Sequence, residues 1–194
     1  MNTWVFGYGS LVSPTSLGYT LGRSPVRGVD FLAAECDGWE RRWNYGHPMG
    51  GSTYSGADVD QIDTVIALGV APVSDACMNG VIALVDGDEL ERLDRRERNY
   101  DRVDVTDGVR LLEGGPWSGD VNRVVTYVPR PNALDIYADA RERGRAGIEI
   151  RYWNLVNDAF DALLPGQGER YRSTTPAPDV PVLDVSRVDP PRVS

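Results

Sequence analysis

Two segments of this chain, Thr64–Ala71 and Gly80–Val85, are rich in β-branched residues and apolar almost without a break. A strand with one face in water alternates polar and apolar residues, whereas an unbroken apolar strand is covered on both faces. A closed or strongly curled sheet meets that demand. Trp4–Leu11 reads as a further strand, followed at Pro14 by a helical turn, and Val26–Asn44 is strand-like with a bend at Asp37-Gly38. His47–Asp60 is a Gly/Ser-rich loop, while Tyr100–Val105 and Arg123–Val128 return to strand pattern, separated by a loop at Glu113-Gly114-Gly115-Pro116. Asp88-Glu89-Leu90-Glu91 has the capping-box spacing that opens a helix running to about Glu97. Helices are also expected over Ala133–Arg143 and Ile148–Leu164, the latter with one apolar face at 148, 152, 155, 156, 159, 160 and 163. Early strands and late helices point to a mixed α+β, barrel-like domain over 1–174. From Thr175 onward, five of the chain's 13 prolines fall within 20 residues. That composition predicts a tail over 175–194, extended across the surface or partly disordered.

Length and charge narrow the function classes. A chain of 194 residues is long enough to bury a substantial core as one domain. No stretch approaches the roughly 18 consecutive apolar residues of a membrane span. Met1-Asn2-Thr3 runs straight into a strand without the layout of a secretory signal, so a cytoplasmic protein without membrane association is expected. With 29 acidic against 20 basic side chains and a net charge of −9, the surface repels phosphate backbones, and nucleic acid is not an expected partner. The pairs Arg41-Arg42 and Arg95-Arg96 sit among acids and read as solvated faces or local ion pairs. Cys36 and Cys77 lie far apart, and with the single His47 they lack zinc-site spacing; neither a metal nor a cofactor is implied.

Two features carry chemistry. The first is Phe6-Gly7-Tyr8-Gly9-Ser10-Leu11, where two glycines flank an aromatic at the end of a strand. Glycine lets the backbone turn sharply and approach a ligand, and successive exposed N–H groups suit a carboxylate, a phosphate or the oxyanion of an acyl-transfer step. An ordinary strand-ending turn is the alternative. The second is Glu97, which follows Leu90 and Leu93 and precedes Tyr100 at 3–4 spacing, placing an acid where the pattern calls for an apolar side chain. An inward carboxylate is desolvated, its pKa rises, and it suits a general base. Alternatively Glu97 pairs with Arg95, Arg96 or Arg98 at a fraying helix end. No nucleophile is evident: Ser10 lacks the hydrolase elbow, and a dyad of His47 with Cys36 or Cys77 is the less economical reading.

The chain resembles the γ-glutamylcyclotransferase-like superfamily. The likeness rests on Phe6-Gly7-Tyr8-Gly9-Ser10-Leu11, on Gly38-Trp39-Glu40-Arg41-Arg42-Trp43-Asn44, on Leu93-Asp94-Arg95-Arg96-Glu97-Arg98-Asn99-Tyr100, and on Thr126-Tyr127-Val128 followed by the helix holding Tyr152. It spans most of 3–172. The resemblance implies an α+β fold, a small mixed β-barrel surrounded by helices, and cyclisation of a small γ-glutamyl substrate to 5-oxoproline with release of the attached amine, amino acid or peptide. The substrate's own α-amine is then the nucleophile, which accounts for the missing protein one. It implies Glu97 as acid/base and Tyr8, Gly9, Ser10 and Leu11 as the substrate cradle, with Tyr100 and Tyr152 at the pocket or in plain packing roles. Arg41 and Arg42 are candidates to reach a substrate carboxylate, although adjacent strand residues point opposite ways. The long insertion at 46–60 and the proline-rich tail depart from the glutathione-degrading subgroup. A pocket-bearing binding or regulatory module without turnover is the competing reading, and a Cys-dependent amidase a third.

Overall fold

A computed structural model describes residues 3–115 and 121–188; Pro116 of the expected loop and positions 189–194 of the expected tail lie outside the described residues. Strand β4 (Thr64–Val85) is the axis of the molecule. It pairs antiparallel with β1 (Thr3–Gly7) along one edge and with β2 (Phe31–Pro48) along the other. Together with β5 (Tyr100–Asp104), β6 (Val109–Leu111) and β7 (Val124–Pro129), the path through the sheet is β5-β7-β1-β4-β2-β6, with β7 parallel to β1. The two apolar segments are thus the ends of one strand. Between them the ladder breaks: Pro72 pairs with Trp39 and Cys77 with Asp37, so Val73–Ala76 stand opposite Gly38 alone. A second irregularity places Trp43 and Asn44 opposite Leu68, because Arg42 pairs with Gly69 and Tyr45 with Ala67. Extra residues of this kind bend and twist a sheet.

The sheet is curled but not closed, which corrects the expected barrel. Its end strands β5 and β6 pair only with β7 and β2 respectively. Only three residues of β2, Ala34–Cys36, carry β6, too short a ladder to continue round to β5. The fold is accordingly mixed α+β, with a large sheet and helices α1 (Pro14–Leu21), α2 (Gly87–Arg96), α3 (Pro131–Glu142), α4 (Ile150–Asp161) and α5 (Gln167–Thr174). Side chains such as Phe6, Phe31, Leu32, Ile66, Met78 and Ile82 fill the interior, and Val156 and Phe160 of α4 and Tyr171 of α5 close over it.

Two helix starts differ from expectation. The capping box is Asp86/Glu89, not Asp88/Glu91: Asp86 Oδ1 accepts from Glu89 N–H at 2.8 Å, and Glu89 Oε2 accepts from Asp86 N–H at 3.0 Å. Both spacings obey the sequence rule, but Glu89 also receives Arg23 Nε at 2.5 Å, a tertiary contact that decides between them. The expected helix at Ile148 begins instead as strand β8 (Ala146–Glu149), since Ile148 is wholly buried and pairs with Val182.

Beyond α5 the proline-rich segment runs extended. Its β9 (Val182–Leu183) pairs with β8, and its β10 (Ser186–Arg187) pairs antiparallel with β3 (Tyr54–Ser55) of the 46–60 insertion. Val185 is fully buried against Ile62 and Val65, with Met49, Tyr54 and Leu183 around them. No helix among the described residues is long and apolar enough to cross a membrane.

Candidate active site

The pocket forms where β1 ends. A 3-10 turn at Ser10–Val12 follows directly, closed by Val12 N–H to Gly9 C=O at 3.0 Å and Ser13 N–H to Ser10 C=O at 3.2 Å. The first N–H groups of such a turn, those of Ser10 and Leu11, have no acceptor within it. Glycine is needed at position 7, where a Cβ would come 2.8 Å from Leu11 Cβ, and favoured at 9, where one would press the Tyr152 hydroxyl at 3.1 Å. Real Cβ atoms avoid such approaches.

Glu97 enters from the other side. It is the C-cap of α2, its N–H bonded to Leu93 C=O, so the helix ends one residue short of it. The side chain nevertheless turns inward and is 14% exposed. Desolvation raises its pKa, and the Arg96 guanidinium opposes that rise, with Nε 3.1 Å from Glu97 Oε1. Both sequence readings of Glu97 therefore hold at once: it is inward, and it is paired at a helix end.

Tyr8, Gly9, Ser10, Leu11, Glu97, Tyr100 and Tyr152 all line this one cleft. Phe6, Leu68 and Tyr127 complete it, and sequence reasoning did not name them as site residues. Leu68 owes its role to the irregularity opposite Trp43-Asn44. Its N–H donates to the Tyr152 hydroxyl at 3.3 Å, and its carbonyl accepts from the Tyr100 hydroxyl at 3.3 Å. The signal was present in the Trp43-Asn44 motif, but a bulge is a register event between two strands and has no local sequence signature strong enough to place it.

The phenols differ in what they can still donate. Tyr8 donates to Tyr127 C=O at 2.6 Å, and Tyr127 donates to Asp94 Oδ1 at 2.8 Å. Tyr100 spends its proton on Leu68 and stacks on Tyr45, ring centroids 4.4 Å apart. Tyr152 accepts from Leu68, so its own proton has no acceptor among the described residues. Burial, and then the Glu97 charge, raise the pKa of Tyr8; burial first also raises those of Tyr100, Tyr127 and Tyr152. They stay protonated, and Glu97 is the carboxylate among the residues lining the cleft.

Of the two arginine pairs, expected as solvated faces or local ion pairs, Arg42, Arg95 and Arg96 pair with Glu40, Glu91 and Glu97, and Arg41 departs from the expectation. Arg41 is wholly buried, its guanidinium 5.0 Å from the Phe160 ring centroid and 4.9 Å from that of Tyr171. It donates to Asn79 Oδ1 at 2.7 Å, Thr174 Oγ1 at 2.7 Å and Thr175 Oγ1 at 2.8 Å, and desolvation pushes its pKa down to about 9. Arg42 points outward to Glu40 at 2.8 Å. Neither lines the cleft, so neither reaches a substrate carboxylate there. The register does not bring a Cys–His dyad together: Cys36 pairs with Met78 and Cys77 with Asp37, whereas His47 pairs with Val65 near the other end of β2. Burial pushes the Cys36 thiol up to about 12, which further removes it from nucleophilic use.

Neither a protein-family model nor a curated protein sequence matches the chain. Solved structures do. A γ-glutamyl cyclotransferase superimposes with a TM-score of 0.53 over 91% of this chain and 90% of its own, at 13% identity. YkqA from Bacillus subtilis gives a TM-score of 0.54 at 12% identity, covering 93% of this chain and 56% of that longer protein. The solution structure of At3g28950.1 from Arabidopsis thaliana matches at 21% identity and a TM-score of 0.43, over 70% of this chain and 64% of its own. The chain thus has a γ-glutamylcyclotransferase-like fold.

Proposed function

We propose that the protein cyclises a small γ-glutamyl compound to 5-oxoproline and releases the amine, amino acid or peptide attached to the γ-carbonyl. One observation carries this reading: an inward carboxylate, Glu97, shares a cleft with the Gly9–Leu11 turn, among phenols that stay protonated. The amides hold the γ-glutamyl group. Glu97 takes a proton from the substrate's α-ammonium, and the freed amine attacks the γ-carbonyl, forming the ring C–N bond. The developing oxyanion is met by fixed donors, for which the uncommitted Tyr152 hydroxyl is suited. Collapse of the intermediate breaks the original C–N bond as Glu97 gives its proton to the leaving nitrogen, and the carboxylate then takes the second proton from the ring nitrogen and passes it to the released amine, which departs as its ammonium. No protein nucleophile is needed, since the attacking group is intramolecular and only has to be folded correctly.

The test is 5-oxoproline release from a panel of γ-glutamylamines, γ-glutamyl dipeptides and glutathione, with the native protein beside Glu97→Gln. Turnover of at least one member by the native protein is expected, falling at least 100-fold in the variant, within the range typical of a lost acid/base. Binding of a γ-glutamyl compound without turnover would establish the binding-module reading instead.

A further inference from the structure

Arg96 does more than neutralise its neighbour. Its Nη1 donates to Ser16 C=O at 3.0 Å and Thr20 Oγ1 at 2.8 Å, and its Nη2 to Ser10 Oγ at 2.9 Å and Ser16 Oγ at 3.1 Å. The four Nη hydrogens therefore have four protein acceptors, distant in sequence but all in α1 or the turn before it. Only Nε is turned to Glu97, at 3.1 Å from Oε1. With every donor committed, this guanidinium has none left for a substrate. What it can do is tie two things together, since the group that grips the Ser10 hydroxyl also grips the carboxylate. A planar fork of fixed geometry does this where a flexible ammonium would not.

The other titratable groups facing Glu97 come from every wall of the cleft: Tyr8 after β1, Tyr45 on β2, Tyr100 on β5, Tyr127 on β7 and Tyr152 on α4. All are neutral phenols, so Arg96 is the cation that opposes the desolvation of Glu97. We propose that Arg96 is the positioning residue of this site, holding the Glu97 carboxylate in register with the Ser10–Leu11 turn. The inference rests on the cyclotransferase reading for its catalytic consequence, but the contact itself can be tested without turnover.

The experiment compares the full-length protein with Arg96→Gln, Arg96→Lys and Thr20→Val, reading the Glu97 carboxyl titration by carbon-13 NMR and the pH profile of kcat/KM on the best panel substrate. In Arg96→Gln the titration and the acidic limb of the profile both move to higher pH, and kcat falls about 10- to 100-fold from misplacement. Arg96→Lys keeps the charge without the fork, so the titration stays near that of the native protein while kcat remains low. Thr20→Val loosens one anchor and leaves the charge, lowering kcat with the limb unmoved. An unmoved Glu97 titration in folded Arg96→Gln, or a fall in rate equal at all pH values, would overturn the proposal. Should Arg96→Gln not fold, Arg96→Lys decides: native kcat in that variant sinks the positioning role. If the titration moves while the native protein releases no 5-oxoproline from any member of the panel, the cyclotransferase reading fails and the Arg96 contact stands.

Discussion

At the scale of single residues, Glu97 balances two opposed forces. Burial raises its pKa above the usual value of 4.5, and Arg96 pulls it back without cancelling the rise. A base must be ionised to act, so the acidic limb of kcat/KM is expected above the ordinary carboxylate range. A limb at or below the ordinary value would show that Glu97 is not the base. The stability consequence has the opposite sense. The folded protein binds the Glu97 proton more tightly than the unfolded chain, so this contribution is fully present below pH 4.5 and is lost as pH rises through the folded pKa. Catalysis thus runs in the ionisation state that stability disfavours, a common feature of working sites.

Elements set where those residues stand. The bulge of β2 opposite Leu68 takes that residue's peptide groups out of the ladder and gives them to Tyr100 and Tyr152. Helix α2 aims Glu97 from its C-terminal end, and its N-terminal end is pinned by the Asp86/Glu89 box and by Arg23, which also donates to Leu84 C=O at 2.8 Å. Asp86→Ala removes the cap and is expected to cost about 1 kcal/mol. For a chain of this size that is a fall of roughly 2–4 °C in Tm. Thermal unfolding checks it, and an unchanged Tm would mean that the Arg23 contact alone holds the helix start.

For the whole molecule, the 46–60 insertion and residues 176–188 pack as one structural unit. Asp184 N–H donates to Asp58 Oδ2 at 2.9 Å, Asp58 N–H donates to Asp184 C=O at 3.2 Å, and Val185 is sealed between them and β4. Val185→Asp buries an unpaired charge in that cluster, which the cluster cannot satisfy. Limited proteolysis of this variant is expected to open both segments together while the β1–β4 sheet stays resistant. Cleavage confined to the tail would show that the insertion is held by other contacts. On the opposite side of the sheet, Arg41 and Asn79 tie the sheet to α5 through Thr174, Thr175 and Gln167 C=O, the last at 2.9 Å from Asn79 Nδ2.

The sequence by itself determined what depends on spacing within a short window. The doubly covered strands followed from their unbroken apolar runs. The preference for glycine at 7 and 9 followed from a turn at a strand end, and the inward acid at 97 from helical periodicity, because side-chain direction repeats locally in helix and strand. Tertiary structure decided what depends on partners distant in the chain. Which of two capping boxes forms was settled by Arg23, whether residues 146–149 are helix or strand by Val182, and where the ladder slips by the pairing of β2 with β4. Arg41 and Arg96 show the same limit at the level of side chains. An arginine among acids reads as a surface residue; the rings of α4 and α5 make burial of Arg41 tolerable, and the hydroxyls of α1 fix the half-buried Arg96. Hydrogen bonds and burial are satisfied in three dimensions, so a group's partner is fixed only when the elements carrying both are packed.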